Sequence, residues 1–323
     1  MATINQEEII ASIQLLAHMA KADGKLLEEE REGLIQSLES LALLEGITVD
    51  QLLSETPPLE EILKKITSET ARESAYQAAY LMAHIDGNCC SAEQKILDRI
   101  AEEFAGFQPF GYEAWLENLE TRANRSDLTT QMRRITDTNQ RQLEVEQLIT
   151  DACFFAAVFG AFPIPGVAII LDLLIYWNQL SLVQTIGEKW GYTAQNEDLK
   201  KALFGSWALT GARIAFSNVA KLVPILGSVT GAAAAYATTW AIGKAANKYY
   251  AEGGKIDKFE LLEALKKAKQ EGEARYQQQA EAITARQKEL QPQIEQLTQD
   301  LRSGKISVDE YRERLDALRS PSS

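Results

Sequence analysis

Four acidic residues recur at matched spacing in this chain, Asp23 with Glu30 and Asp86 with Glu93. Each pair sits in a run that begins Met-Ala, passes through Asp-Gly and ends on a glutamate seven residues after the aspartate. The runs are MAKADGKLLEEE, Met19 to Glu30, and MAHIDGNCCSAE, Met82 to Glu93, offset by 63 residues throughout. Carboxylates are hard oxygen donors, so the chemistry they suggest is capture of a cation such as Ca²⁺ or Mg²⁺ rather than Zn²⁺. The register of each run matches only the tail of an EF-hand loop. The first two ligand positions would be Met19 and Lys21, or Met82 and His84, and none of these supplies a carboxylate. A site shared between the copies fits better: if they pack about a pseudo-twofold axis, Asp23, Glu30, Asp86 and Glu93 converge. The competing expectation is local, with Asp-Gly ending one helix and Glu complementing the dipole of the next.

The second copy also carries His84, Cys89 and Cys90 beside Glu93, a set with soft-metal character. The first copy has Lys21 and Leu26 where His84 and Cys89 stand, so it shares neither ligand. Cys89 occupies an apolar position, which favours a packing role.

The elements around the motif read as helices. Asn5 and Glu8 form a capping-box pattern for a helix from Gln6 to Lys21, with Ile9, Ile13, Leu16, Ala17 and Ala20 as its apolar stripe. In the second copy Ala75, Ala78, Ala79 and Met82 precede Asp86-Gly87, and Ser91 with Gln94 suggests a cap for the next helix. The doubled motif in a small, acidic, helical module resembles the TerB-like domain of tellurite-resistance proteins over roughly residues 5–120. That resemblance implies an all-helical pseudo-repeat, an acidic metal site at Asp23, Glu30, Asp86 and Glu93, and a stress-response role. The insertion around SETPPLEE departs from strict symmetry.

Charge divides the chain. Residues 1–150 hold 27 acidic against 13 basic residues, whereas residues 151–253 are nearly balanced. The acidic half argues against nucleic acid as a partner and suits a cation or a basic partner. Three cysteines are too few for a secreted disulfide framework, and the polar start MATINQEEII shows no signal-peptide pattern.

Residues Ala152 to Leu171 carry no charge, long enough for a membrane span, but Pro163, Pro165 and Gly166 interrupt them. A second apolar helix, a PILG break at Pro224–Gly227 and a small-residue helix follow. In the last, Gly227, Gly231, Ala235, Thr239 and Gly243 recur every four residues, a smooth face for close helix packing. Arg and Lys residues flank both units. The expectation is a membrane-associated domain, its hairpins dipping into a bilayer from the cytoplasmic side; the alternative is four helices burying one another in a soluble cytoplasmic bundle. The IPIPG…LVPILG…AIG spacing resembles the YcjF-type domain of unknown function over residues 146–255. It implies membrane association and a GTPase or other protein partner.

After Gly253-Gly254 the chain is charged and Gln-rich, and reads as a long solvated helix broken near Pro292. Leu290, Ile294, Leu297 and Leu301 form a short coiled-coil seam. The end, LRSGKISVDEYRERLDAL, resembles the SHOCT module, with Gly304 turning, Ile306 anchoring and Ser307 capping; it implies homo-oligomerisation or partner contact.

The expected organisation is therefore all-α: an acidic TerB-like domain (1–120), a basic helical linker (121–145), a YcjF-like apolar domain (146–255) and a charged tail (256–323). No phosphate loop, nucleophile elbow or His-Glu-x-x-His occurs, so the expected function is non-enzymatic.

Overall fold

The structure, a computed structural model, describes residues 5–22, 51, 54, 57–85, 89–104, 134–160, 162, 168–192, 197–205, 207–220 and 229–318. Among these residues every regular element is an α-helix and there is no strand. The elements are α1 (Gln6–Lys21), α2 (Leu59–Lys65), α3 (Glu69–His84), α4 (Ser91–Glu103), α5 (Thr138–Gly160), α6 (Ala168–Trp190), α7 (Glu197–Phe204), α8 (Trp207–Ala220), α9 (Val229–Ala251), α10 (Lys258–Arg302) and α11 (Val308–Ala317). They form two compact units that interleave in sequence. One unit holds α1–α4, α8 and the first three residues of α6. The other holds α5, the rest of α6, α7 and α9–α11.

In the first unit α1 starts where its sequence says it should. Asn5 Oδ1 accepts the Glu8 N–H at 2.8 Å and Glu8 Oε2 accepts the Asn5 N–H at 3.2 Å, completing the capping box. Ile9, Ile13, Leu16 and Ala17 are buried. α1 packs on α2 and α3, and α8 packs on both α1 and α3. Small residues permit this approach: a Cβ added at Gly211 of α8 would occupy the place of the Ile85 side chain.

In the second unit α9 is central, packed against α5 and α10. The four-residue ladder meets α5 as its spacing suggests. A Cβ at Gly231 would lie 2.5 Å from the Gly160 carbonyl oxygen, and one at Gly160 would lie 2.8 Å from Ala235 Cβ. Thr239 is fully buried and accepts from Gln179 Nε2 at 2.9 Å, which joins α9 to α6. Asn178 Nδ2 donates to the Ala152 carbonyl at 3.0 Å and joins α6 to α5. Both bonds satisfy polar groups that would otherwise be costly to bury. The two Pro-Gly breaks lie outside the described residues; α5 and α6 flank the first, α8 and α9 the second.

The tail differs from its sequence expectation in two respects. First, α10 runs unbroken through Pro292, which is exposed. A proline costs a helix one hydrogen bond and a clash with the preceding turn, and the packed face around it, with Leu290 and Ile294 buried, holds the helix together. Second, α10 is not simply solvated. Leu261, Ala268, Gly272, Tyr276, Ile283, Leu290 and Ile294 are buried along it, and a Cβ at Gly272 would fall 2.8 Å from Ala237 Cα of α9. In the expected seam Leu290, Ile294 and Leu301 are buried within the chain's own fold, and α11 folds back on α10. Gly304 makes the turn at φ +70°, Ile306 is buried, and Ser307 caps α11 in a box with Glu310. Tyr311 completes the contact, its hydroxyl 3.2 Å from Thr298 Oγ1.

Candidate functional site

Asp23, Glu30 and Asp86 lie outside the described residues, as do Gly24 and Gly87. Glu93 is described. α4 begins at Ser91 with Cys90 as its N-cap, one residue before the cap read from the sequence, and Glu93 Oε2 accepts the Cys90 N–H at 2.7 Å. Serine is the better intrinsic cap, but the glutamate reaching back three residues fixes the helix start here. Glu93 thus performs the local capping role that was the competing expectation.

The helices that carry the two motif copies are arranged in a way that bears on a shared site. α1 and α3 each contain 16 residues and each ends at the Met-Ala of its copy or just after it. Their first turns are tied together by one carboxylate. Glu8 Oε1 accepts from the Thr67 N–H at 2.9 Å, the Thr67 hydroxyl at 2.9 Å and the Ser68 N–H at 2.6 Å, and Ser68 is the N-cap of α3. The two helices pack together and their starts meet at Glu8; the Asp-Gly segments that follow them in sequence lie outside the described residues.

Glu8 is only 2% exposed. Burial pushes its carboxyl up, but the hydrogen bonds from Ser68, Thr67 and Asn5 outweigh that and hold it at about 2. The sequence revealed its role in capping α1; its role in joining α1 to α3 depends on residues 59 and 60 positions away. In the last turn of α1, the ring nitrogen Nε2 of His18 lies 2.6 Å from the Pro57 carbonyl oxygen.

The soft-metal set does not assemble into a site of three or more ligands. His84 stacks on Tyr80 with ring centroids 4.0 Å apart, and its Nδ1 lies 3.0 Å from the Tyr80 carbonyl. Among the described residues no group of three or more His, Cys, Asp or Glu side chains is placed to hold a metal ion.

The apolar region was the second candidate. Among the described residues one helix, α6, is long and apolar enough to cross a membrane, and most of that stretch is buried inside the structure. Several basic residues near the apolar units are engaged within the fold. Lys189 pairs with Glu144 at 2.7 Å, Glu146 receives both Lys244 (3.3 Å) and Arg275 (3.1 Å), and Arg141 lies over the Trp190 ring at 3.8 Å.

Comparison with known proteins finds no family model that matches the chain, no matching curated protein and no matching solved structure.

Proposed function

We propose that this chain is a non-enzymatic, all-helical adaptor whose acidic N-terminal unit binds a divalent cation at the segments that follow α1 and α3. The observation that carries the reading is the Glu8 tie. It joins the starts of the two packed helices that each lead into an Asp-Gly-x5-Glu copy, the pairing that a site shared by Asp23, Glu30, Asp86 and Glu93 would require. Oxygen donors of this kind favour Ca²⁺ or Mg²⁺ over Zn²⁺. The TerB resemblance agrees with this reading and points to tellurite or envelope stress as the process. Calorimetric titration of the full-length protein tests it. We expect saturable binding of Ca²⁺ or Mg²⁺ below millimolar concentration, abolished by Asp23→Asn with Asp86→Asn. Absence of binding, or binding indifferent to those changes, reduces the loops to helix ends.

For the remainder of the chain the best-supported reading is an internal bundle that serves as scaffold, because α10 covers α9 and because Lys189, Lys244 and Arg275 pair with Glu144 and Glu146 within the fold. The partner suggested by the YcjF resemblance is a GTPase, and the SHOCT resemblance adds self-association through the tail. A second reading, attachment to the cytoplasmic side of a membrane, draws support from α6, whose length and composition suit a span. High-speed centrifugation of a detergent-free lysate separates the two. The scaffold reading expects full-length protein in the supernatant, and recovery in the membrane pellet would replace it with the anchored form.

A further inference from the structure

Among the described residues three large apolar side chains are exposed, and two of them, Phe259 at 74% and Leu262 at 45%, stand one turn apart at the start of α10. Lysines surround them. Lys258, Leu262, Lys266 and Lys269 follow one another at intervals of four, four and three residues, and Phe259 stands seven before Lys266. All five therefore share one side of the helix. We propose that this side of α10 is a docking surface for an anionic lipid bilayer, with Phe259 and Leu262 entering the headgroup layer and the three lysines meeting lipid phosphates.

α10 turns a different face to α9, with Leu261, Ala268 and Gly272 buried and Gly272 against Ala237. All three lysines of the proposed surface are exposed. Among the described residues they enter no ion pair, whereas Lys244 and Lys248 of α9 pair with Glu146 and Glu260. The acidic residues of these turns are set apart from the lysines. Glu260 is held by Lys248, and Glu263 lies at the edge of the face, beyond Phe259. Glu273, one turn past Lys269, closes the basic stripe.

The composition selects lipid over protein. The centres of protein interfaces are depleted of lysine, whereas a helix lying at a membrane surface combines Phe or Leu with Lys on its polar flank. Lysine stems can lay their methylenes beside the two apolar side chains while the ammonium reaches a phosphate. Each lysine near an anionic surface strengthens binding about fivefold, so three give about a hundredfold and the contact needs anionic lipid. Two apolar side chains are too few for permanent anchoring, so the binding is reversible. α6 stays inside its bundle, so this contact is separate from the span of the second reading above.

Co-flotation of the full-length protein with vesicles tests the proposal. At about 0.1 M salt we expect binding to phosphatidylcholine vesicles that contain phosphatidylglycerol, none to phosphatidylcholine alone, and release at about 1 M salt by screening. A spanning α6 would resist that release, so the salt wash tells the two contacts apart. Lys258→Gln with Lys266→Gln and Lys269→Gln should weaken binding about a hundredfold, and Phe259→Ser with Leu262→Ser at least about tenfold. Circular dichroism melting checks that these surface variants fold. A measurement on wild-type protein needs no variant: vesicles should shield Lys258, Lys266 and Lys269 from an acylating reagent and leave the exposed Lys288 reactive. No binding to anionic vesicles, equal binding to neutral ones, binding retained by the folded variants, or shielding that spares these lysines would overturn the proposal. So would a soluble dimer lost on Phe259→Ser, which would assign the face to a second copy of the chain.

Discussion

Glu8 shows how much one carboxylate can organise when its acceptors are all used. It closes the capping box of α1 and receives the first-turn donors of α3, and its pKa falls to about 2 from the usual 4.5 despite burial. A group depressed in the folded state contributes stability that is fully present above its unfolded value and is lost as pH falls through the folded one. The window here runs from about pH 4.5 down to about 2, and the contribution is about 3 kcal/mol. We therefore expect Glu8→Gln to lower the unfolding free energy at pH 7 by about that amount and to flatten its pH dependence across the same window. Urea titrations at pH 7, 4 and 2.5 measure both effects. Cys90 is a second case at this scale: its neighbour Ser91 looks like the cap, yet the helix begins one residue earlier in register because Glu93 reaches the Cys90 N–H.

At the scale of elements, the contact between α5 and α9 depends on having no side chain at two places. Alanine at Gly231 would gain about 1 kcal/mol in helix propensity. It would also place its Cβ 2.5 Å from the Gly160 carbonyl oxygen, a backbone atom that cannot rotate away. Overpacking typically costs about 1–3 kcal/mol, so the clash wins and Gly231→Ala should be net destabilising, with Gly231→Leu worse. Thermal unfolding of the two variants beside wild type gives the order directly. The small-residue period of four made this face legible in the sequence, because a helix repeats its faces every three to four residues. The partner was less legible, since any close helix would satisfy the same pattern. α10 illustrates the opposite difficulty. Its composition is so polar that its apolar stripe, one buried residue every third to seventh position, hardly stands out from a solvated helix.

For the whole molecule, the placement of α10 governs how the second unit meets solvent. Tyr276 meets Tyr236 edge-on with centroids 6.0 Å apart, and Arg275 lies over the Trp240 ring at 4.1 Å; Tyr236 and Trp240 are both fully buried. Deleting residues 256–323 should uncover that face of α9 and leave a large exposed apolar patch, a feature that drives association. We expect the truncated chain to bind a hydrophobic dye and to elute as aggregate in size-exclusion chromatography, in contrast to the full-length protein. The sequence alone determined the all-α class, the start and cap of α1, the Gly304 turn with its Ser307 cap, and the small-residue face of α9. Each follows from local propensity, capping chemistry or helical period, which act over a few residues. Only the tertiary structure decided that α8 packs with α1 and α3, that α10 passes Pro292 unbroken and covers α9, and that Glu8 joins two helices whose first turns are some sixty residues apart. Those outcomes turn on which apolar faces and hydrogen-bond donors meet across long separations, and many pairings of amphipathic helices satisfy one and the same local pattern.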